Sequence, residues 1–470
     1  MELQSPQALL ALFLWFPIVL LYIFQKFPPQ RAIIVSFIVA WLYLPVAQFK
    51  LPGIPVYDKM NATGYSLLLA TLLYDPMRFA AFKPGWVDLP MLIWCFCPLA
   101  SSITNDLGPY DGMSSVFTQV MTWGVPYLMG RVYLNSMTGL RELATGIFIG
   151  GLSYVPLCLI EGRLSPQLHR WVYGYYASQD FNQAMRLGGY RPTVFMSHGL
   201  MVGAWMMAAT LCGIWLWKSG TIKQLWNIPI KQLVIVLIIT FILCRSTGAY
   251  LLLLIGLAIL FCGNWLRTAL PLLLLIFGMS MYLYNGVNSA VDIQQVNAVA
   301  TQLSGPERAQ SLKFRLDNEE KLAKKARQQM ILGWGGFGRN RVYERNWKGD
   351  LIDVSVTDSL WIISFGVYGL VGLISSFAAL LVPSAALVLL RYPARMWTHP
   401  KVAPGVVLAV VVTLYMLDCV LNAMTNPIFA LASGGIAGVV LDEKQANQLK
   451  GTPSTIPKRS LPQSRQRLPS

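Results

Sequence analysis

The chain has 470 residues, 55% of them hydrophobic and only 12% charged, and carries a formal net charge of +16. A soluble domain averages about 25% charged residues. The repeated apolar runs here have the roughly 17–25 residues that cross a hydrocarbon core of about 30 Å as helices, which excludes a soluble globular domain. The ~10-residue alternation of a membrane barrel is absent. The surplus of Lys and Arg is what a membrane protein retains on its cytoplasmic side, so no nucleic-acid partner is expected.

An all-α polytopic membrane protein is therefore expected, with about 12 or 13 spans. In chain order they fall near 8–26, 31–48, 62–82, 86–104, 115–133, 139–160, 193–217, 230–246, 247–264, 268–286, 357–390, 403–421 and 423–441. Asp75-Pro76 and Arg78 interrupt the span at 62–82, and the run at 357–390 is long enough to be bent, with Pro383 as the expected hinge. Met1–Gln7 has no basic n-region, so no cleavable signal peptide is expected. Four regions result: a bundle over 1–286 with an external loop at 161–192, a large external loop at 287–356, C-terminal spans over 357–441, and a basic tail over 442–470 of disordered composition.

Loop parity gathers Lys218, Lys223, Lys231, Arg391, Arg395, Lys401 and the tail on one side, which the positive-inside rule makes cytoplasmic. Arg131 and Arg141 join them. Asn105–Gly112, the loops at 161–192 and 287–356, and the Arg245 turn then face the other side, expected to be periplasmic. All seven cysteines lie in or beside apolar runs, which supports neither a disulfide framework nor a Cys-based zinc site.

Three stretches carry chemistry. The loop at 161–192 interleaves Trp171, Tyr173, Tyr175, Tyr176, Phe181 and Tyr190 with Arg163, Arg170, Arg186 and Arg191, beside Glu161 and His169. Flat rings stack on sugar faces and guanidinium forks grip phosphate oxygens, while an interfacial aromatic belt is the plainer alternative. His198 is expected one to two turns inside the next span. Cys244-Arg245-Ser246-Thr247 separates two spans by almost nothing; an arginine held there wants an anion or a lipid phosphate, and Ser246 or Thr247 can cap the next helix.

The large loop has eleven Lys and Arg against eight Asp and Glu. Its residues 305–330 read as an amphipathic helix lying over the membrane mouth, with Leu312, Leu316, Leu322 and Ala323 free to pack. Gly333 to Arg341 combines four glycines with Trp334, Phe337, Arg339 and Arg341, a pattern for stacking and anion contacts; it lacks the ending of a nucleotide P-loop. Asp358 opens the following span either as a helix cap or as a general base. Asp418 and Asn422 lie one turn apart within a span, with Arg191 or Arg245 as candidate partners for the acid.

In the order of the Arg245 turn, the glycine-rich loop at 333–338 and the re-entry segment at 357–373 with its Gly366-Val-Tyr-Gly369-Leu370, the chain resembles the O-antigen ligase and O-antigen polymerase (Wzy-like) superfamily, bacterial membrane glycosyltransferases of the GT-C type. The resemblance implies a GT-C-like bundle in the bacterial inner membrane. It implies transfer or polymerisation of glycan repeat units from an undecaprenyl-type diphosphate carrier onto an acceptor sugar at the periplasmic face, in exopolysaccharide or O-antigen biosynthesis, without metal or other cofactor and alongside other polysaccharide assembly and export proteins. Arg191 and Arg245 would then hold the diphosphate, with Arg339 and Arg341 as further anion contacts and Trp334, Phe337 and Tyr190 against the glycan. The sequence departs from the family ligases at the re-entry point, where Val356-Thr357-Asp358 stands in place of a histidine pair. That leaves Asp358, Glu161 and His169 as candidate bases and favours a polymerase over a lipopolysaccharide ligase. The rival reading is a lipid-linked oligosaccharide flippase or other transporter, and a third is a non-catalytic assembly subunit.

Overall fold

Helices dominate because each satisfies its own backbone in hydrocarbon, where an unpaired amide costs several kcal/mol. The computed structural model describes residues 5–50, 56–178, 184–289 and 306–442. Phe181, the tail beyond 442 and the Leu312 side chain lie outside the described residues. The membrane helices begin with α1 (Pro6–Lys26), α2 (Pro29–Tyr43), α3 (Lys59–Tyr74) and α4 (Leu89–Thr104). Next come α5 (Pro109–Gln119), which a π turn joins to α6 (Val125–Tyr133), and α7 (Met137–Leu164). The short α8 (Leu168–Tyr173) precedes α9 (Gly199–Lys218), α10 (Ile230–Leu243), α11 (Thr247–Leu266) and α12 (Leu270–Val287). The large loop supplies α13 (Pro306–Ala326), and α14 (Leu360–Ala386), α15 (Ala403–Leu421) and α16 (Pro427–Leu441) close the fold.

Eight of these helical runs are long and apolar enough to cross a membrane, and α2, α10 and α16 are shorter apolar helices. The chain is thus an all-α polytopic membrane protein. The two remaining expected spans are helical as well, as α3 and as α5–α6, but do not meet the same length and composition. Pro opens many of the helices at a position whose N–H is spare, and Asp58, Ser136 and Asn426 cap α3, α7 and α16. α15 and α16 form the centre, with nearly every side chain buried, while α11 and α12 lie at the rim.

The connections sort into two faces, as parity requires. On one face Arg131 pairs with Asp88 at 3.1 Å, Arg31 pairs with Glu142 at 3.2 Å, and Arg391 donates to the Val440 carbonyl at 2.7 Å. On the other, Asn105 donates to the Gly333 carbonyl at 2.8 Å, and Leu360 N–H to the Asn422 carbonyl at 3.2 Å.

α14 breaks at Gly369 (φ 65°, ψ −159°), not at Pro383, which the helix carries without interruption. The reason is a strap from the large loop. Leu370 and Val371 N–H donate to the carbonyls of Met330 and Ile331, while Trp334 and Gly335 N–H donate to those of Gly366 and Val367. Ser101 adds a bond to the Val367 carbonyl at 2.9 Å. The strap thereby replaces the helical bonds that the break removes. A Cβ on Gly369 would stand 2.3 Å from the Ile331 carbonyl carbon, and φ there is left-handed. Gly369→Ala should therefore cost more than the about 1–2 kcal/mol of the backbone conformation alone. Gly278→Ala, where a Cβ meets nothing within 4 Å, should cost nothing. Thermal unfolding of the two variants in detergent checks this.

Candidate anion site at the membrane boundary

Arg191 and Arg245 reach the same boundary from different elements. Arg191 follows a two-residue hairpin in which Met185 pairs with Tyr190 and Arg186 with Gly189; its N–H donates to the Ala184 carbonyl at 2.7 Å. Gly188 turns that hairpin at φ 71°. Arg245 sits between α10 and α11 with φ 52°. A Cβ on Gly189 would lie 1.0 Å from Arg245 Nη1, so a larger residue there would displace this guanidinium. Tyr250, on the first turn of α11, lies within electrostatic reach of both arginines.

Neither arginine is neutralised. Arg191 is only 8% exposed, and its Nε, like Arg245 Nη1, is buried without a hydrogen-bond partner; among the described residues no acid pairs with either. Burial, and then the nearby Arg186 charge, pushes the Arg191 guanidinium below the ordinary arginine range, the signature of a cation short of a counter-ion. Arg191 lines a cavity of about 30 Å³ with His169, Tyr176, Thr193 and His198. His198 is the N-cap of α9 rather than a residue inside the span, because residues 193–198 are non-helical; its Nδ1 accepts the Leu200 N–H at 3.0 Å. Ser246, at the N-cap of α11, makes no capping bond, which leaves the positive end of that helix without a side-chain acceptor.

The other candidates of the 161–192 loop have framework tasks. Glu161 is fully buried, and its two oxygens accept the N–H groups of Leu168 (2.9 Å), Thr193 (2.8 Å) and Val194 (2.7 Å). His169 donates from Nδ1 to the Tyr175 carbonyl at 2.8 Å and accepts the Val46 N–H on Nε2 at 3.2 Å. Tyr173 and Tyr175 donate to the carbonyls of Tyr43 and Val46, which leaves Trp171 and Tyr176 as the exposed rings near Arg170. Tyr190 lies half-buried on the hairpin.

The glycine-rich segment approaches protein rather than ligand, since Gly333 is the strap that meets α14. Trp334 donates to the Lys325 carbonyl, and the Lys325 ammonium covers its ring at 3.8 Å. Arg339 donates to the Asn105 carbonyl at 2.8 Å, and Arg341 pairs with Asp353 at 2.7 Å. Phe337 stays exposed.

A second polar pocket, of about 20 Å³, lies under α13 and is lined by Arg315, Asn318, Glu319, Asp358 and Ser359. Asp358 is exposed and does not cap α14, whose N-cap is Ser359. Asp418 accepts from Asn422 at 2.9 Å, and the cation acting on it is Arg315, not Arg191 or Arg245. Glu319 was not singled out from sequence. It accepts from Tyr282 (2.7 Å), Ser359 (3.0 Å) and Trp361 (3.2 Å) and so fastens α13 over α12 and α14; burial raises its carboxyl above the usual range. Its signal was an acid at helical spacing between Leu316 and Ala323, on the face that packs.

Searched against family models and curated proteins, the chain matches none. Fold and site define a polytopic helical membrane protein with an uncompensated arginine pair at one membrane boundary.

His169 supplies a pH test. Burial lowers its pKa and both ring nitrogens are committed, so the folded loop requires the neutral ring. The imidazole must take up a proton on unfolding, and loop stability falls as pH drops through about 6.5, the free-histidine value. Amide protection factors across residues 161–178, corrected for the intrinsic pH dependence of exchange, should fall between pH 7.5 and 5.5. His169→Gln should flatten that dependence.

Proposed function

We propose that the protein is a membrane glycosyltransferase that takes a glycan from a polyprenyl diphosphate carrier and joins it to an acceptor sugar at the periplasmic face of a bacterial inner membrane. The observation that supports this reading is that buried Arg191 and half-buried Arg245 each keep a guanidinium nitrogen without a hydrogen-bond partner among the described residues. An isolated buried cation is expensive, and a doubly charged phosphate headgroup is the anion available there. As the glycosidic bond breaks, the two guanidiniums stabilise the charge that develops on the departing diphosphate.

An apolar groove of about 380 Å³ between α12 and α14, walled by Ile276, Leu283, Leu373 and Phe377, supports a lipid substrate entering sideways. Glu161 and His169 are committed to backbone, so the acceptor hydroxyl gives its proton to Asp358, which is exposed, pairs with no cation among the described residues and lines a pocket with Arg315 and Glu319.

Replacing Arg245 by Ala should cut glycan transfer by at least about 30-fold, the cost of removing one partner of a buried charge pair. Diphosphate-linked repeat units should then accumulate on the outer leaflet; accumulation confined to the inner leaflet would favour a flippase instead. Asp358→Asn should lower the transfer rate by about 10²–10⁴-fold. Binding of the lipid donor should be unchanged in that variant, which a direct binding assay would show.

A further inference from the structure

We infer that Glu161 is a positioning residue that holds Arg191 in its anion-binding pose through the backbone of residues 193–194. The inference rests on the reading of the arginine pair as a diphosphate site. Glu161 ends the long span α7 on the same face, and nothing of its side chain reaches solvent. Its Oε2 receives two consecutive N–H groups, Thr193 and Val194, and its Oε1 receives Leu168 at the start of α8. One carboxylate thus ties together the entry and the exit of the 161–192 loop, two residues beyond Arg191.

The tied backbone is strained. Val194 is β-branched and fully buried, yet has φ 51°, a conformation that such residues scarcely adopt without an external constraint. Leu187 (φ 47°), on the hairpin that precedes Arg191, and Arg245 (φ 52°) itself are also left-handed. Strain of this kind persists where the surroundings over-determine it, and Glu161 supplies two short charge-assisted bonds at this point. The turn carries Arg191 against α9, where a Cβ on Gly199 would lie 2.3 Å from Arg191 Cδ.

The chemistry also explains why the residue is an acid. Three N–H donors converge on it, and an amide would turn a donor toward at least one of them. Both oxygens are engaged by backbone N–H groups, and among the described residues Glu161 makes no ion pair with Arg191. It stabilises the loop without occupying the guanidinium, which stays available to an incoming anion.

The test is a double-mutant cycle on the full chain in nanodiscs, with decaprenyl diphosphate as probe and decaprenol as the uncharged control. Glu161→Gln should raise the Kd for the diphosphate about tenfold, the equivalent of one weakened charge-assisted bond, and leave decaprenol binding unchanged. Combined with Arg191→Ala it should add nothing, whereas combined with Arg245→Ala the two losses should multiply. A Glu161→Gln variant with a lower melting temperature but unchanged Kd, or with a loss that multiplies fully onto Arg191→Ala, overturns the inference. If Arg191→Ala itself leaves diphosphate binding unchanged, it is the diphosphate reading that fails. Should Glu161→Gln not fold, Glu161→Asp enters the same cycle, since the shorter acid reaches fewer of the three donors.

Discussion

Backbone hydrogen bonding in a solvent that offers none is the constraint on which this structure depends. Most of the chain meets it by being helical. Two places at one membrane boundary illustrate the exceptions among the described residues, and each is repaired by a different device. At Gly369 the repair is made by other backbone, as the 330–335 strap takes up groups that α14 releases. At residues 193–194 it is made by a carboxylate, Glu161, which receives N–H groups that no helix uses. Both repairs are long-range in sequence, so both irregular segments are fixed by the folded bundle and not by their own propensities.

Against this thrift the arginine pair is an exception. Elsewhere the buried cation Arg131 is matched by Asp88, with Tyr127 donating to the same carboxylate. Arg191 and Arg245 have no such match, although a carboxylate stands two residues from Arg191 in the folded loop. The acid is directed at backbone and the cations are left without a carboxylate among the described residues. A cation left in this way costs the fold stability.

The span pattern was legible because apolar length is a property of each segment alone, and the grouping of the loops onto two faces followed from parity. Bend position was not, since Pro383 is a local signal whereas the break at Gly369 depends on a strap 34 to 39 residues upstream in the chain. The arginine pair was legible for the same reason as the spans: a charge at an apolar boundary stands out. The roles of Glu161, His169, Arg339 and Arg341 were not, because polar residues in a loop look alike until their partners are known. Trp334 and the neighbouring glycines carried a ligand-like pattern that the fold spends on its own helix.

The strap also bears on how the protein is made. Emerging from the insertion machinery, α14 follows the large loop in the chain, and its halves on either side of Gly369 cannot both be complete helices facing lipid until residues 330–335 have docked. Those residues lie on the far side of the membrane from the basic loops. The loop must therefore reach its own face before the span that follows it can settle, and the order of synthesis supplies the strap first. Biogenesis of this helix is then coupled to placement of the loop, and a chain stalled with the loop on the wrong side would carry open backbone groups in the bilayer, a mark by which membrane quality control could distinguish it.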